Sequence, residues 1–176
     1  MFLNDVKDDK IDLYNEFSFQ HELGIYLREA LHKTFKVEFE RNVQHFDLEK
    51  KDFTKKEIDI VIYNDKQYLC AVELKFPRNG QYPEQMYNFC KDIKFLEELK
   101  SEKFENTLFI ALVEDDKFYL NANDVTGIYA YFRAGKNLQG TINKPTGEKP
   151  SSVHLNGSYD INWKSLSAKH YCMLSC

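Results

Sequence analysis

The chain has 176 residues, 43% of them hydrophobic and 15% aromatic, with 30% charged, a composition that supports a packed core and a solvated surface. A net charge of −4 argues against a surface built chiefly to grip phosphates. It does not exclude a nucleic-acid partner, because local charge and a bound divalent cation outweigh the total at any one site. No apolar run reaches the roughly 18 residues a membrane helix needs.

Residues 1–15 alternate acids and lysines with few apolar positions and read as an irregular lead-in. They lack the basic-then-apolar pattern of a secretory signal, so the expected compartment is the cytoplasm. From about Phe17 to Phe35, Phe19, Leu23, Tyr26, Leu27, Ala30 and Leu31 recur at spacings of three and four, which predicts a helix capped by Asn15 or Ser18. Glu22 sits at the edge of that stripe. Lys36–Val43 alternates apolar and charged residues and reads as a strand. Residues 44–56 follow as a polar loop with Lys50, Lys51, Lys55 and Lys56, either a solvated connection or a segment that contacts phosphate.

Glu57–Tyr63 and Gln67–Phe76 are rich in β-branched and aromatic residues, and Asn64-Asp65-Lys66 between them supplies turn chemistry, so they predict a β-hairpin. Pro77–Gly80 breaks the pattern. A helix from about Tyr82 to Leu99 follows, with Pro83 in its first turn and Tyr82, Met86, Phe89, Ile93 and Leu96 as the apolar stripe. Asn106–Val113 is a continuous apolar run of strand length, expected in the sheet centre. Beyond it, Ile128–Phe132 reads as a short strand, 135–150 as a Gly/Pro/Lys-rich loop, and Val153–Leu155 and Tyr159–Lys164 as weaker strands.

Three charges interrupt the apolar hairpin: Asp59 on its first strand, Glu73 and Lys75 on its second. A charge in such a strand needs a partner or a metal. Glu73 and Lys75, two residues apart, face the same way. The ordinary reading is a salt-bridge cluster across a half-exposed face. Its weakness is that Glu22, Asp59, Glu73 and Lys75 together leave an excess of acid.

The Asp59, Glu73-x-Lys75 arrangement on a hairpin resembles the active site of the PD-(D/E)XK nuclease superfamily, which includes restriction enzymes, resolvases and recombination exonucleases. The predicted helix, strand, hairpin, helix, strand order over about 17–114 matches that superfamily's αβββαβ core. The resemblance implies a single α/β domain over 1–176: a restriction endonuclease-like core with a mixed central sheet flanked by helices, followed over about 115–176 by extra C-terminal β-strands. It also implies that Asp59 and Glu73 bind Mg²⁺ or Mn²⁺, that Glu22 from the first helix assists them, and that the Leu74 carbonyl is a further ligand. Lys75 would orient the attacking water. Gln85-Met-Tyr-Asn-Phe89 is similar to the Gln-x-x-x-Tyr motif of the recombination-exonuclease branch, with Phe in place of Tyr. It implies that Gln85 positions substrate or Lys75, with Gln81 one turn earlier as a substitute.

The implied activity is metal-dependent hydrolysis of DNA by in-line attack of water, leaving a 5′-phosphate, in defence, repair or a mobile element. The implied context is a homodimer or a component of a larger system, with no membrane partner. An RNA nuclease and a non-catalytic nucleic-acid-binding or adaptor protein on the same fold are the alternatives. Cys70, Cys90, Cys172 and Cys176 read as free thiols, and Cys172-x₃-Cys176 has no second pair at zinc spacing. The five histidines show no ligand spacing, and Tyr129, Tyr131, Phe132 and Trp163 read as core aromatics with base stacking as the alternative. Fingerprints of acyl hydrolases, NTPases and dinucleotide-binding enzymes are absent from the sequence.

Overall fold

The computed structural model describes residues 1–120, 124–147 and 149–176. Its elements in chain order are α1 (Phe2–Lys7), α2 (Glu16–Ala30), β1 (Lys36–Asn42), β2 (Glu57–Tyr63), β3 (Tyr68–Lys75), α3 (Tyr82–Glu102), β4 (Asn106–Val113), α4 (Tyr129–Arg133), β5 (Leu138–Asn143), β6 (Ser152–Tyr159), β7 (Lys164–Leu166) and β8 (Lys169–Ser175). The main sheet has the order β1-β2-β3-β4-β8-β7, and β5-β6 form a separate two-stranded sheet. β3 and β4 pair in parallel, as a strand–helix–strand unit requires, and the other neighbours are antiparallel. The protein is therefore α/β, with a mixed sheet flanked by helices.

The pleat separates the core into two clusters, one on each face. Ile60, Ile62, Val72, Leu74, Ile110 and Leu112 meet Phe19 and Leu23 of α2 and Phe2 and Val6 of α1. The opposite face presents Val61, Ala71, Phe109, Ala111 and Val113 to Met86, Phe89, Ile93 and Leu96 of α3 and to Leu155 and Ile142 of the small hairpin. α2 starts where its capping chemistry dictates. Asn15 Oδ1 accepts the Ser18 amide at 2.7 Å while Ser18 Oγ accepts the Asn15 amide at 3.1 Å. Gly24 then lets α2 settle on β1, since a Cβ there would lie 2.1 Å from the Phe39 ring.

Several elements differ from the sequence reading, among them the strand expected at Tyr159–Lys164, whose residues 160–163 instead connect β6 to β7. The lead-in contains α1, whose Phe2 and Val6 are buried together with Leu13, so a few apolar residues spaced four or more apart anchored it despite the surrounding charges. The segment read as a strand at Ile128–Phe132 forms instead the helical turn α4, Tyr129–Arg133, with Ile128 at its N-cap. Phe132 enters the aromatic core beside Phe89, and Trp163 Nε1 donates to the Phe132 carbonyl at 3.0 Å. The Gly/Pro/Lys-rich segment 135–150 contains β5, which gains its partner only from β6; residue 148 of that segment lies outside the described residues. Finally, β8 extends the main sheet by pairing with β4, Ala111 opposite Cys172. All four cysteines are unpaired. Among the described residues no helix is long and apolar enough to cross a membrane.

Candidate functional site

Glu73 and Lys75 lie on the β3 face that meets α3, and Asp59 lies across the hairpin on β2. Glu73 Oε1 accepts the Asp59 amide at 3.3 Å, and Asp59 Oδ2 accepts the Leu74 amide at 2.7 Å, so each carboxylate is clamped by the backbone of the opposite strand. Glu73 is fully buried. Its counter-ion is Lys55, from the segment leading into β2, which pairs with Glu73 Oε2 and lies 3.0 Å from Asp92 Oδ1. Asp92, a buried acid on α3, also reaches the other lysine: its Oδ2 lies 3.1 Å from Lys75 Nζ. That contact is poorly aligned as a hydrogen bond, but an ammonium so close satisfies the oxygen electrostatically. Lys75 Nζ further donates to the Leu74 carbonyl at 2.8 Å and lies 3.4 Å from Glu16 Oε1. Glu16 Oε2 accepts the Phe76 amide at 3.0 Å, tying the start of α2 to the end of β3.

Asp59 opens on its other side into a cleft of about 250 Å³ lined by Glu16, Phe17, Gln20, Glu40 and Leu74. Gln20 Nε2 bridges the Glu40 carboxylate, at 2.6 Å, and the Asp59 carbonyl, at 2.8 Å. Glu40 sits opposite Asp59 with φ +50°, a left-handed conformation a strand residue adopts only under local constraint. Phe17 stands at the rim, 73% exposed.

The structure thus brings together Asp59, Glu73, Lys75 and Leu74 of the residues singled out from the sequence, and leaves Glu22 and Gln85 apart. Glu22 pairs with the adjacent His21 at 3.4 Å. It lies about 200° around the helix from Gln20, so it cannot face the same cleft. The contribution of α2 is Glu16 and Gln20, one helical turn apart. Gln85 donates to Asn79 Oδ1 at 2.9 Å, in the turn that precedes α3, and Gln81 is exposed. The residue that α3 sends to the cluster is Asp92, two turns beyond Gln85. Phe89 is a buried core ring, packed against Phe109, Phe118 and Phe132. Lys55 was one of four lysines in a loop, and no spacing rule distinguished it. Asp92 is marked in the sequence as a charge in phase with the apolar stripe of α3.

Four carboxylates (Glu16, Asp59, Glu73 and Asp92) surround two ammonium groups, a formal excess of two negative charges. Burial pushes the Asp59 carboxyl up to about 6, against the opposing pull of Lys55 and Lys75. Burial likewise raises Glu73 well above the usual carboxylate range, and the neighbouring Asp59 and Asp92 charges add to it. For Lys55 and Lys75, burial favours the neutral amine. The carboxylates beside each of them, foremost Glu73 for Lys55 and Asp92 for Lys75, reverse this and hold both above the ordinary lysine value. Both lysines therefore stay charged at neutral pH while Asp59 and Glu73 are strained toward protonation.

A surplus of hard carboxylate oxygens matches the donor chemistry of Mg²⁺, which takes one or two carboxylates and keeps its waters. Yet among the described residues no three acidic, histidine or cysteine side chains are gathered so as to hold an ion. Of the donors assigned from the sequence, Glu73 is paired with Lys55 and the Leu74 carbonyl with Lys75, while Asp59 faces the cleft. Comparisons with protein-family models, with curated proteins and with solved structures return no match to this chain.

Proposed function

We propose that this chain is a metal-dependent nuclease that hydrolyses DNA phosphodiester bonds on a restriction endonuclease-like fold. The observation that carries the reading is the charge imbalance. Two hairpin carboxylates are buried, Asp59 lining an open cleft and Glu73 behind it, with more acid around them than two lysines neutralise, an arrangement that costs stability and calls for a further cation. Asp59 and Glu73 would hold Mg²⁺ or Mn²⁺, and the ion would supply charge neutralisation at the phosphoryl oxygens and a more acidic water. Lys75, anchored by Asp92 and Glu16, keeps its proton across the neutral range and provides a fixed positive charge for the phosphate or the attacking water. Gln20 orients the β1–β2 edge of the cleft through its two hydrogen bonds. RNA presents the same phosphodiester, and no residue at the cleft discriminates against it.

One observation favours a second reading, a non-catalytic nucleic-acid-binding or adaptor protein. Glu73 is fully buried and already ion-paired to Lys55, as a structural cluster would have it. The deciding experiment incubates plasmid, linear duplex, single-stranded DNA and RNA with the protein in Mg²⁺, Mn²⁺ or EDTA, alongside Asp59→Ala and Lys75→Ala. Metal-dependent cutting lost in both variants supports the nuclease. Intact substrates throughout, or cutting that both variants retain, would leave the adaptor reading.

A further inference from the structure

We propose that Lys55 is an intramolecular cation that fills the acidic site in the metal-free protein, and that a divalent ion enters by displacing it. This rests on the proposed metal site and concerns how that site is filled.

The two lysines of the cluster are held differently. Lys75 is 15% exposed and has three anchors: Asp92, Glu16 and the Leu74 carbonyl. Lys55 is 27% exposed and its ammonium pairs with two carboxylates, Glu73 and Asp92, over the Phe95 ring, with the Asp59 charge also acting on it. Its ammonium therefore bridges the two buried acids Glu73 and Asp92 and occupies the Glu73 oxygen that a metal bound by Asp59 and Glu73 would need. Two cations cannot share it, because their repulsion at low dielectric exceeds what the same carboxylates return.

Lys55 also has a way out. It belongs to the irregular segment between Phe53 and Lys56, and no strand pairing holds its own backbone. The segment is pinned at the surface by Glu98, which accepts from the Thr54 amide and hydroxyl, each at 2.7 Å. At its far end, the Lys56 carbonyl accepts the Val43 amide at 2.9 Å. A long flexible side chain between two such points can swing its head, now 5.8 Å from the centre of the Phe95 ring, out into water. Exchanging one ammonium for a divalent ion would add one positive charge to a cluster that is two short.

The test reads Lys55 in the wild-type protein. Lysines are acylated with a water-soluble succinimidyl ester, with and without saturating MnCl₂ at pH 8, and each site's rate is followed by peptide mass spectrometry; calorimetry under the same conditions measures Mn²⁺ binding. The expected result is that Mn²⁺ binds and Lys55 reacts at least about fivefold faster with it, whereas the exposed Lys51 and Lys66 are unchanged. Mn²⁺ binding with an unchanged or slower Lys55 rate overturns the proposal and leaves the metal site standing. No Mn²⁺ binding overturns both. Two variants add an affinity readout. Lys55→Gln keeps an N–H donor for Glu73 without the charge, and Glu98→Gln loosens the Thr54 anchor without touching the acids. Tighter Mn²⁺ binding is expected in both, about tenfold for Lys55→Gln, equivalent to removing one charge-assisted competitor. Should Lys55→Gln fail to fold, Glu98→Gln decides, and unchanged or weaker binding in it counts against displacement.

Discussion

Asp59→Asn should stabilise the metal-free protein, and increasingly so as the pH rises. The side chain keeps its shape and its amide oxygen can still accept the Leu74 amide, so the substitution mainly removes a charge. Burial raises the folded-state pKa from 3.8 to about 6. Below the unfolded value both states carry the proton and the substitution changes little. Between the two values the folded protein holds a proton that the unfolded chain has released, so wild-type stability falls steadily with pH until it levels off above the folded value. Above it, the folded state bears the whole cost of a buried carboxylate. A shift of about two units corresponds to ~3 kcal/mol at pH 7.5, and roughly half of that at pH 5. Urea denaturation of both proteins at pH 4, 5, 6 and 7.5 in EDTA, with equal m-values, measures the difference. A variant less stable than wild type at pH 7.5, or a difference independent of pH, would refute the electrostatic account of the site. Repeating the pH 7.5 pair with MnCl₂ should narrow or reverse the gap, because only the wild type retains both carboxylates for the ion.

The other expectations concern the residues that the structure regrouped. Glu16→Ala should lower metal-dependent cleavage at least about tenfold by freeing Lys75 and the end of β3, whereas Glu22→Ala and Gln85→Ala should stay within about twofold of wild type, which initial rates on one substrate will compare. Glu97→Ala should destabilise the protein by about 3 kcal/mol in urea, since this carboxylate accepts from the Asn156 and Gly157 amides and the Tyr159 hydroxyl at 3.0, 2.6 and 2.8 Å and joins the small hairpin to α3. Asn15→Ala removes the cap of α2 and should cost about 1 kcal/mol by the same assay.

Much of the core was legible because its signals are local. Runs of β-branched and aromatic residues marked β2 and β3, a continuous apolar run marked β4, the three-and-four stripes marked α2 and α3, and the short turn at Asn64–Lys66 fixed an antiparallel hairpin. The charges on that hairpin were legible for the same reason, since an acid and a lysine inside an apolar strand stand out without any knowledge of the partner. The C-terminal segments were not. β8 gains its place from β4, and β5 from β6, so their burial depends on pairing across the fold rather than on their own composition. Residues 128–132 carry aromatics that suit a strand, yet packing of Phe132 against Phe89 selected a helical turn.

At the site the division is sharper. Sequence alone determined that Asp59, Glu73 and Lys75 share one hairpin, because strand periodicity and a short turn leave little freedom over such a distance. Only the tertiary structure decided their company. Which carboxylate of α2 arrives depends on where Asn15 caps the helix and how closely Gly24 lets it approach β1, and this selected Glu16 over Glu22. Which residue α3 contributes depends on how its 21-residue length lies over β3, and this selected Asp92 over Gln85. Lys55 enters from a loop whose path no periodicity encodes, held there by Glu98 more than forty residues away. Ion pairing is strong at short range and blind to sequence separation, so the partners of a buried charge are set by the packing that encloses it.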